Sequence, residues 1–233
     1  MTADSETGEK AGGSTLALAI DTCGPSGSVA LGRLAGDQAE ILDQIELEGR
    51  TYSATLVSAV GEILKRHGAK LHEVGCLVVV SGPGSFTGVR VGLSAAKGLA
   101  EGAEISVVAV SRLEVLSAKA GVGYAALDAH RHEVFLRYAG RELLAGAGEL
   151  AGLAAPEKCA VCDALASAML AAAWPSTELA AVEAPTAADA LRLAAPLIRE
   201  RRFADIALLD GHYLRRSDAE IFGDPAVAAA RQR

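Results

Sequence analysis

The chain has 233 residues, 51% of them hydrophobic and only 4% aromatic, with a formal net charge of -7. That composition excludes wholesale disorder and requires a core built mainly of Ala, Val and Leu. The acidic balance argues against a broad nucleic-acid-binding face, although a local basic patch or a basic partner is compatible with it.

No apolar run reaches the length of a membrane helix. Residues 1–13 are polar and acidic, without the basic-then-apolar pattern of a signal peptide, so they read as a disordered leader of a cytoplasmic protein. Thr15–Asp21 is an apolar run ending in an acid, and 22–27 is a turn cluster. Residues 28–32 and the alternating Gln38–Leu47 complete a predicted three-stranded meander with Asp21 at the mouth of its first turn. Residues 50–66 form a predicted amphipathic helix with Tyr52, Leu56, Val60, Ile63 and Leu64 on one stripe. Cys76–Val80 reads as a strand buried on both faces. It leads into 81–100, a glycine–proline turn followed by a helix from near Thr87, and then a strand at Ser106–Val110.

A helix at 111–120, capped by Ser111, follows. A strand at 123–128, a turn at 129–131 and a returning strand at 132–138 then repeat the opening pattern of strand, Asp, turn and strand. Residues 143–153 are Gly/Ala-rich and ambiguous. Beyond them come a strand at 159–162, a helix at 163–173, a strand at 179–182 and a helix at 186–202 that Pro196 should kink. Residues 211–216 look extended, and 226–233 should fray. The recurrence predicts an α/β chain of two lobes. The first spans 14–110; the second, at 111–216, is less regular, and its last helix packs back on the first. A leader at 1–13 and a tail at 217–233 flank them.

Within the helix after the glycine turn, Gly88, Gly92 and Ala96 recur at i, i+4 and i+8, with Ala95 and Leu99 beside them. Interior helical glycine costs roughly 1 kcal/mol relative to alanine. Close approach of another backbone offsets that cost, either from the chain's own sheet or from a helix seam within the chain or with a partner. The loop Gly82, Pro83, Gly84, Ser85 and Thr87 completes neither Walker A, since no Lys follows, nor GxGxxG, since Thr87 occupies the third glycine position. It could still bind an anion at the helix N-terminus. Gly92-Leu93-Ser94-Ala95-Ala96 approaches a nucleophile elbow but lies mid-helix. Arg90, unfavourable for the macrodipole, should pair with an acid of this chain or of a partner, and Lys97 should be solvated.

Asp21 and Asp128 each end an apolar strand at a turn. In phosphotransfer folds such acids hold a metal or position a water, but a turn in which the carboxylate bonds its own backbone explains both and is favoured. His67, His72, His130, His132 and His212 contain no HExxH. His130 and His132 would share a face if they lay on a strand, and turn or exposed positions are expected for them. Cys159-Ala160-Val161-Cys162 is a lone CxxC, better read as buried thiols than as a redox or metal module. No metal site is expected.

The 81–100 stretch resembles the signature of the TsaB family, formerly YeaZ, subunits of the bacterial machinery that makes N6-threonylcarbamoyladenosine in tRNA. Leu18-Ala19-Ile20-Asp21-Thr22 with Ser28-Val29-Ala30-Leu31 resembles the family's opening hairpin. Ala126-Leu127-Asp128-Ala129-His130-Arg131-His132-Glu133-Val134-Phe135 resembles its ALDAR..EVY segment, and Tyr213-Leu214-Arg215 its closing YLR. The resemblance implies a two-lobed actin/hexokinase-like (ASKHA, ribonuclease H-like) fold with a reduced second lobe. It implies a non-catalytic role beside TsaD, the paralogue that transfers the threonylcarbamoyl group, in an assembly joined by the small ATPase TsaE, and self-association through first-lobe helices. It implies no cofactor for this chain alone, with ATP, Mg²⁺ and tRNA engaged by the complex. TsaD's pair of metal-binding histidines on a helix has no counterpart here. The sequence departs from the family at Tyr52, where His is usual, and at His130, where Arg is common.

On this reading the partner interface comprises Tyr52, Leu56, Val60 and Ile63 with Gly88, Arg90, Gly92, Ala95, Ala96 and Leu99. Gly92→Leu should then abolish TsaD binding and leave the monomer folded. The rival is an enzyme of the same fold, a small kinase or glycopeptidase-like hydrolase, using Asp21, Asp128 and the Gly82 loop.

Overall fold

A computed structural model of the protein describes residues 14–49 and 51–215. The expected leader and tail, with Arg50 and Arg216, lie outside the described residues. Strands β1 (Thr15–Asp21), β2 (Gly27–Ala35) and β3 (Gln38–Leu47) form the antiparallel meander. Strands β4 (Cys76–Val80) and β5 (Ser106–Val110) extend it in parallel from β1, giving the order β3-β2-β1-β4-β5. Helix α1 (Tyr52–Arg66) lies between β3 and β4 in the chain, and α2 (Phe86–Ala103) between β4 and β5.

Helix α3 (Arg112–Ala120) leads to the second sheet, made of β6 (Ala125–Asp128), β7 (Val134–Tyr138), β8 (Arg141–Ala145), β9 (Lys158–Val161) and β10 (Glu178–Ala181). Helix α4 (Ala147–Ala151) precedes β9, α5 (Ala164–Ala173) precedes β10, and α6 (Ala187–Arg199) follows it. The order is β8-β7-β6-β9-β10, with β6, β7 and β8 antiparallel and β9 and β10 parallel to β6. Both sheets thus run 3-2-1-4-5. A duplicated sheet of this order, with the second copy smaller, is the actin/hexokinase-like arrangement.

The alternation of β2 explains how a chain poor in aromatics closes its core. Gly27 faces the Tyr52 ring of α1, whereas the Ser28 hydroxyl on the opposite face accepts the Ala187 amide of α6 at 2.8 Å. By the two-residue period Val29 and Leu31 follow Gly27, while Ala30 and Gly32 follow Ser28, and Gly32 meets Leu191. The small residues therefore line the α6 side, where Ala187, Ala190, Ala194 and Ala195 are buried. Small facing small lets α6 close on the sheet. Helix α3 packs on β6, β7 and β9 and touches α6, so α3 and α6 join the sheets.

Several expectations need correction. Residues 143–153, read as ambiguous, hold the end of β8 and all of α4. Helix α6 ends at Arg199, with Pro196 in its last turn, and Arg201 turns to φ 56° just beyond. His130, Arg131 and His132 all have φ near +60°, so they form the tight turn expected for the histidines, and the returning strand β7 starts at Val134 rather than at 132. Residues 211–215 have no regular secondary structure.

Candidate functional site

The centre of the first lobe is the turn after β1, pressed into the loop before α2. Asp21 is 1% exposed, and its Oδ1 accepts the Cys23 amide at 2.8 Å, the self-bonded turn favoured from sequence. Its Oδ2 lies 4.0 Å from Nε of the buried Arg112, and that Nε has no hydrogen-bond partner among the described residues. Burial pushes the Asp21 carboxyl above its ordinary range, against the charge of Arg112 and the Cys23 amide. Arg112 is the residue that sequence reasoning missed. Its signal was the one noted for Arg90, a cation in the first turn of a helix, where the macrodipole opposes it.

Thr22 explains the glycines. Its hydroxyl donates to the Gly88 carbonyl at 2.7 Å, and a Cβ at Gly88 would collide with the Thr22 carbonyl oxygen. A Cβ at Gly92 would collide with the Thr22 hydroxyl, and one at Gly84 with the Cys23 carbonyl. Ser85 donates its amide to Cys23 O at 2.8 Å and accepts the Gly88 amide on its hydroxyl, capping α2. Gly82, at φ 115°, lies with the His212 carbonyl oxygen 3.0 Å from where its Cβ would be. The loop at Gly82, Pro83 and Gly84 is therefore filled by the chain's own backbone, whereas Ser85, Phe86 and Thr87 are exposed. Two open grooves, of about 470 and 320 Å³, lie elsewhere on the surface.

The same close approach overturns most of the expected interface. Tyr52, Leu56, Val60 and Ile63 are at most 6% exposed, and Gly88, Gly92 and Ala96 are buried, all within the core of the first lobe. Tyr52 donates its hydroxyl to Gly24 O at 2.9 Å, closing the same turn. The i, i+4, i+8 stripe serves the chain's own sheet. Ala95 and Leu99 are partly covered, and Arg90 is exposed. Among the described residues Arg90 meets no acid: its guanidinium sits 3.5 Å above the Phe86 ring and 5.8 Å from that of Tyr213. Lys97 is half-buried, not fully solvated.

In the second lobe Asp128 Oδ1 accepts the His130 amide at 2.7 Å, the same turn as at Asp21. The His130 ring, 83% exposed, approaches Asp128 Oδ2 at 3.0 Å. Cys159 and Cys162 are free thiols; burial pushes Cys159 to about 12 and raises Cys162. Among the described residues no group of three or more His, Cys, Asp or Glu could hold a metal ion. No helix among them is long and apolar enough to cross a membrane.

With this geometry the chain can be set beside known proteins. The sequence pattern of the family "TsaD: tRNA N6-adenosine threonylcarbamoyltransferase" matches residues 40–181, more than half the chain. The chain belongs to that family. Its relatives there bear the name TsaB. It is 38% identical over 131 residues to the tRNA threonylcarbamoyladenosine biosynthesis protein TsaB of Haemophilus influenzae, covering 54% of each chain. It is 37% identical over 124 residues to TsaB of Escherichia coli, covering 51% of this chain and 52% of that one. The chain thus spans about half the length of the curated relatives it matches. A crystal structure from Pseudomonas aeruginosa, described as similar to peptidase YeaZ, superposes with a TM-score of 0.72 at 27% identity, covering 86% of this chain and 100% of that one. A YeaZ structure from the same organism gives 0.67 at 26% identity. The TsaB (YeaZ) resemblance read from residues 81–100 agrees with these relatives.

Proposed function

We propose that the chain is a non-catalytic partner subunit in the biosynthesis of N6-threonylcarbamoyladenosine in tRNA, and that it docks on TsaD through the outer face of α1 and α2. The single observation behind the docking is a second set of glycines. Gly88 and Gly92 are explained by Thr22, but Gly61, Gly98 and Gly102 are exposed, and nothing lies within 4 Å of where their Cβ atoms would be. Each costs the helix roughly 1 kcal/mol relative to alanine, and no contact among the described residues offsets it. Around them Val57 is 62% exposed, and Val91, Ala95 and Leu99 are partly open. A face of small and apolar groups admits another helix at short interaxial distance. The same face could join two copies of this chain.

The non-catalytic reading rests on Asp21 being sealed beneath Arg112 and on the glycine loop being filled from within. We assign ATP, Mg²⁺, TsaE and tRNA to the assembled complex, in the cytoplasm, and none of them to this chain alone. Co-purification with TsaD tests the reading. Gly98→Leu should abolish binding while the circular dichroism spectrum stays that of the parent and Tm is no lower than the parent's. Undiminished binding would move the seam elsewhere, and tight Mg²⁺-dependent ATP binding by the chain alone would favour a kinase or hydrolase of the same fold.

A further inference from the structure

The segment 211–215 crosses between the lobes and is anchored on both. On the first lobe, the His212 amide donates to Ser81 O at 2.8 Å, and the Tyr213 ring packs on Phe86 with centroids 5.2 Å apart, beneath Arg90. On the second, His212 Nε2 meets Glu142 Oε2 at 2.8 Å, and Leu214 packs on the cluster containing Leu113, Leu127 and Phe135. Arg215 pairs with Glu133 and reaches His130 O at 3.3 Å. Glu142 is a junction in its own right. Only 8% of its side chain is exposed, it accepts the Ser111 hydroxyl at 2.7 Å, and Arg137 lies 3.2 Å from its other oxygen. It therefore ties the edge strand β8 to the start of α3 and to the crossing segment.

We propose that residues 211–215 are a proton-gated strap between the lobes, drawn tight while His212 is protonated against Glu142 and slackened when that proton leaves, which frees the Phe86–Arg90 end of α2. The titratable and charged groups facing His212 are Glu142 from β8 and Glu114 from α3, with Arg137 of β7 bridging these two acids; Ser81 and Gly82 of the first lobe bring no charge. The hydrogen bond to Glu142 raises the histidine above its ordinary 6.5, against partial burial. Burial alone would raise the Glu142 carboxyl, but hydrogen bonds from His212 and Ser111, with the charges of His212 and Arg137, bring it below 4.5. A histidine raised on folding contributes fully below its unfolded value and loses that contribution as pH climbs through its folded one. The strap thus weakens as pH climbs beyond the ordinary histidine value and holds at mildly acid pH, where Glu142 stays ionised.

Hydrogen exchange of the His212 amide in the full chain, corrected for intrinsic rate and read by NMR from about pH 5.5 to about 8.5, tests this. In the parent, exchange should quicken severalfold toward the alkaline end, while the core amides of Val79 and Val108 stay protected. Glu142→Gln should exchange fast at every pH. His212→Gln, which keeps a hydrogen-bonding side chain without a titrating one, should show no pH dependence. Parent protection that is flat with pH, or a His212→Gln profile that follows the parent's, overturns the proposal whether or not Glu142→Gln folds. The readout does not involve TsaD, so its failure leaves the docking reading untouched.

Discussion

The two lobes pose one structural problem and solve it differently. Each begins with a strand ending in Asp, whose carboxylate accepts the amide two residues on, at Cys23 in one and His130 in the other. Each must then join that turn to the helix after its fourth strand. The first lobe does so by close backbone approach: Thr22 is seated on Gly88 and Gly92, and Ser85 bonds Cys23 O. The second uses one side chain. Asp163 caps α5 through the Ala166 amide at 2.7 Å and holds the Asp128 amide at 3.0 Å. Where backbones touch, residue size is fixed and the helix runs 18 residues; where a carboxylate spans the gap, a 10-residue alanine-rich helix is enough. The first lobe and α6 bury one large cluster, while the second lobe divides into two smaller ones. One topology can therefore be held by steric fit or by a hydrogen-bonded spacer, and the two tolerate mutation differently.

The hardest blow to the first solution is Gly88→Val, or Gly92→Leu. Either forces α2 off Thr22 and should cost at least about 3 kcal/mol, read as a fall in urea midpoint. Gly92→Leu should consequently unfold the lobe, contrary to the sequence-based expectation that it would spare the monomer. Next, Arg112→Met strands a buried carboxylate and should cost about 3 kcal/mol. Asp21 is already raised by burial, so its contribution is greatest at acid pH and declines as pH rises toward its folded value. Removing the cation lifts that value further, so denaturation should show a larger penalty near about pH 7 than near about pH 5. Asp163→Ala removes the spacer of the second lobe and should cost about 1–2 kcal/mol, with exchange at the Asp128 amide rising first. The smallest effect has the opposite sign. Gly98→Ala adds a methyl in open space and should stabilise the isolated chain by up to about 1 kcal/mol, whereas Gly92→Ala destabilises it.

How much was legible follows the range of the interaction. The meander, the α1 stripe, the buried β4, the Ser111 cap and the repeat of strand, Asp and turn were all readable, and the structure contains them. The glycines of α2 were also legible as demanding a close neighbour, but not which one. Thr22 is 66 positions from Gly88, and no spacing rule connects them. Arg90 was given an acid and found two rings, because Phe86 is one helical turn away while Tyr213 arrives from the far end of the chain.

By itself, the sequence determined the period of each element, the turns that Asp21 and Asp128 close, and the family to which residues 81–100 point. These depend on neighbours within a few positions, where backbone geometry leaves little choice. Only the tertiary structure decided that the small-residue stripe serves the chain's own sheet, that Arg112 covers Asp21, and that His212 reaches Glu142 across 70 positions. Those contacts exist only once separate segments have packed, and a linear pattern carries no record of which surfaces will meet.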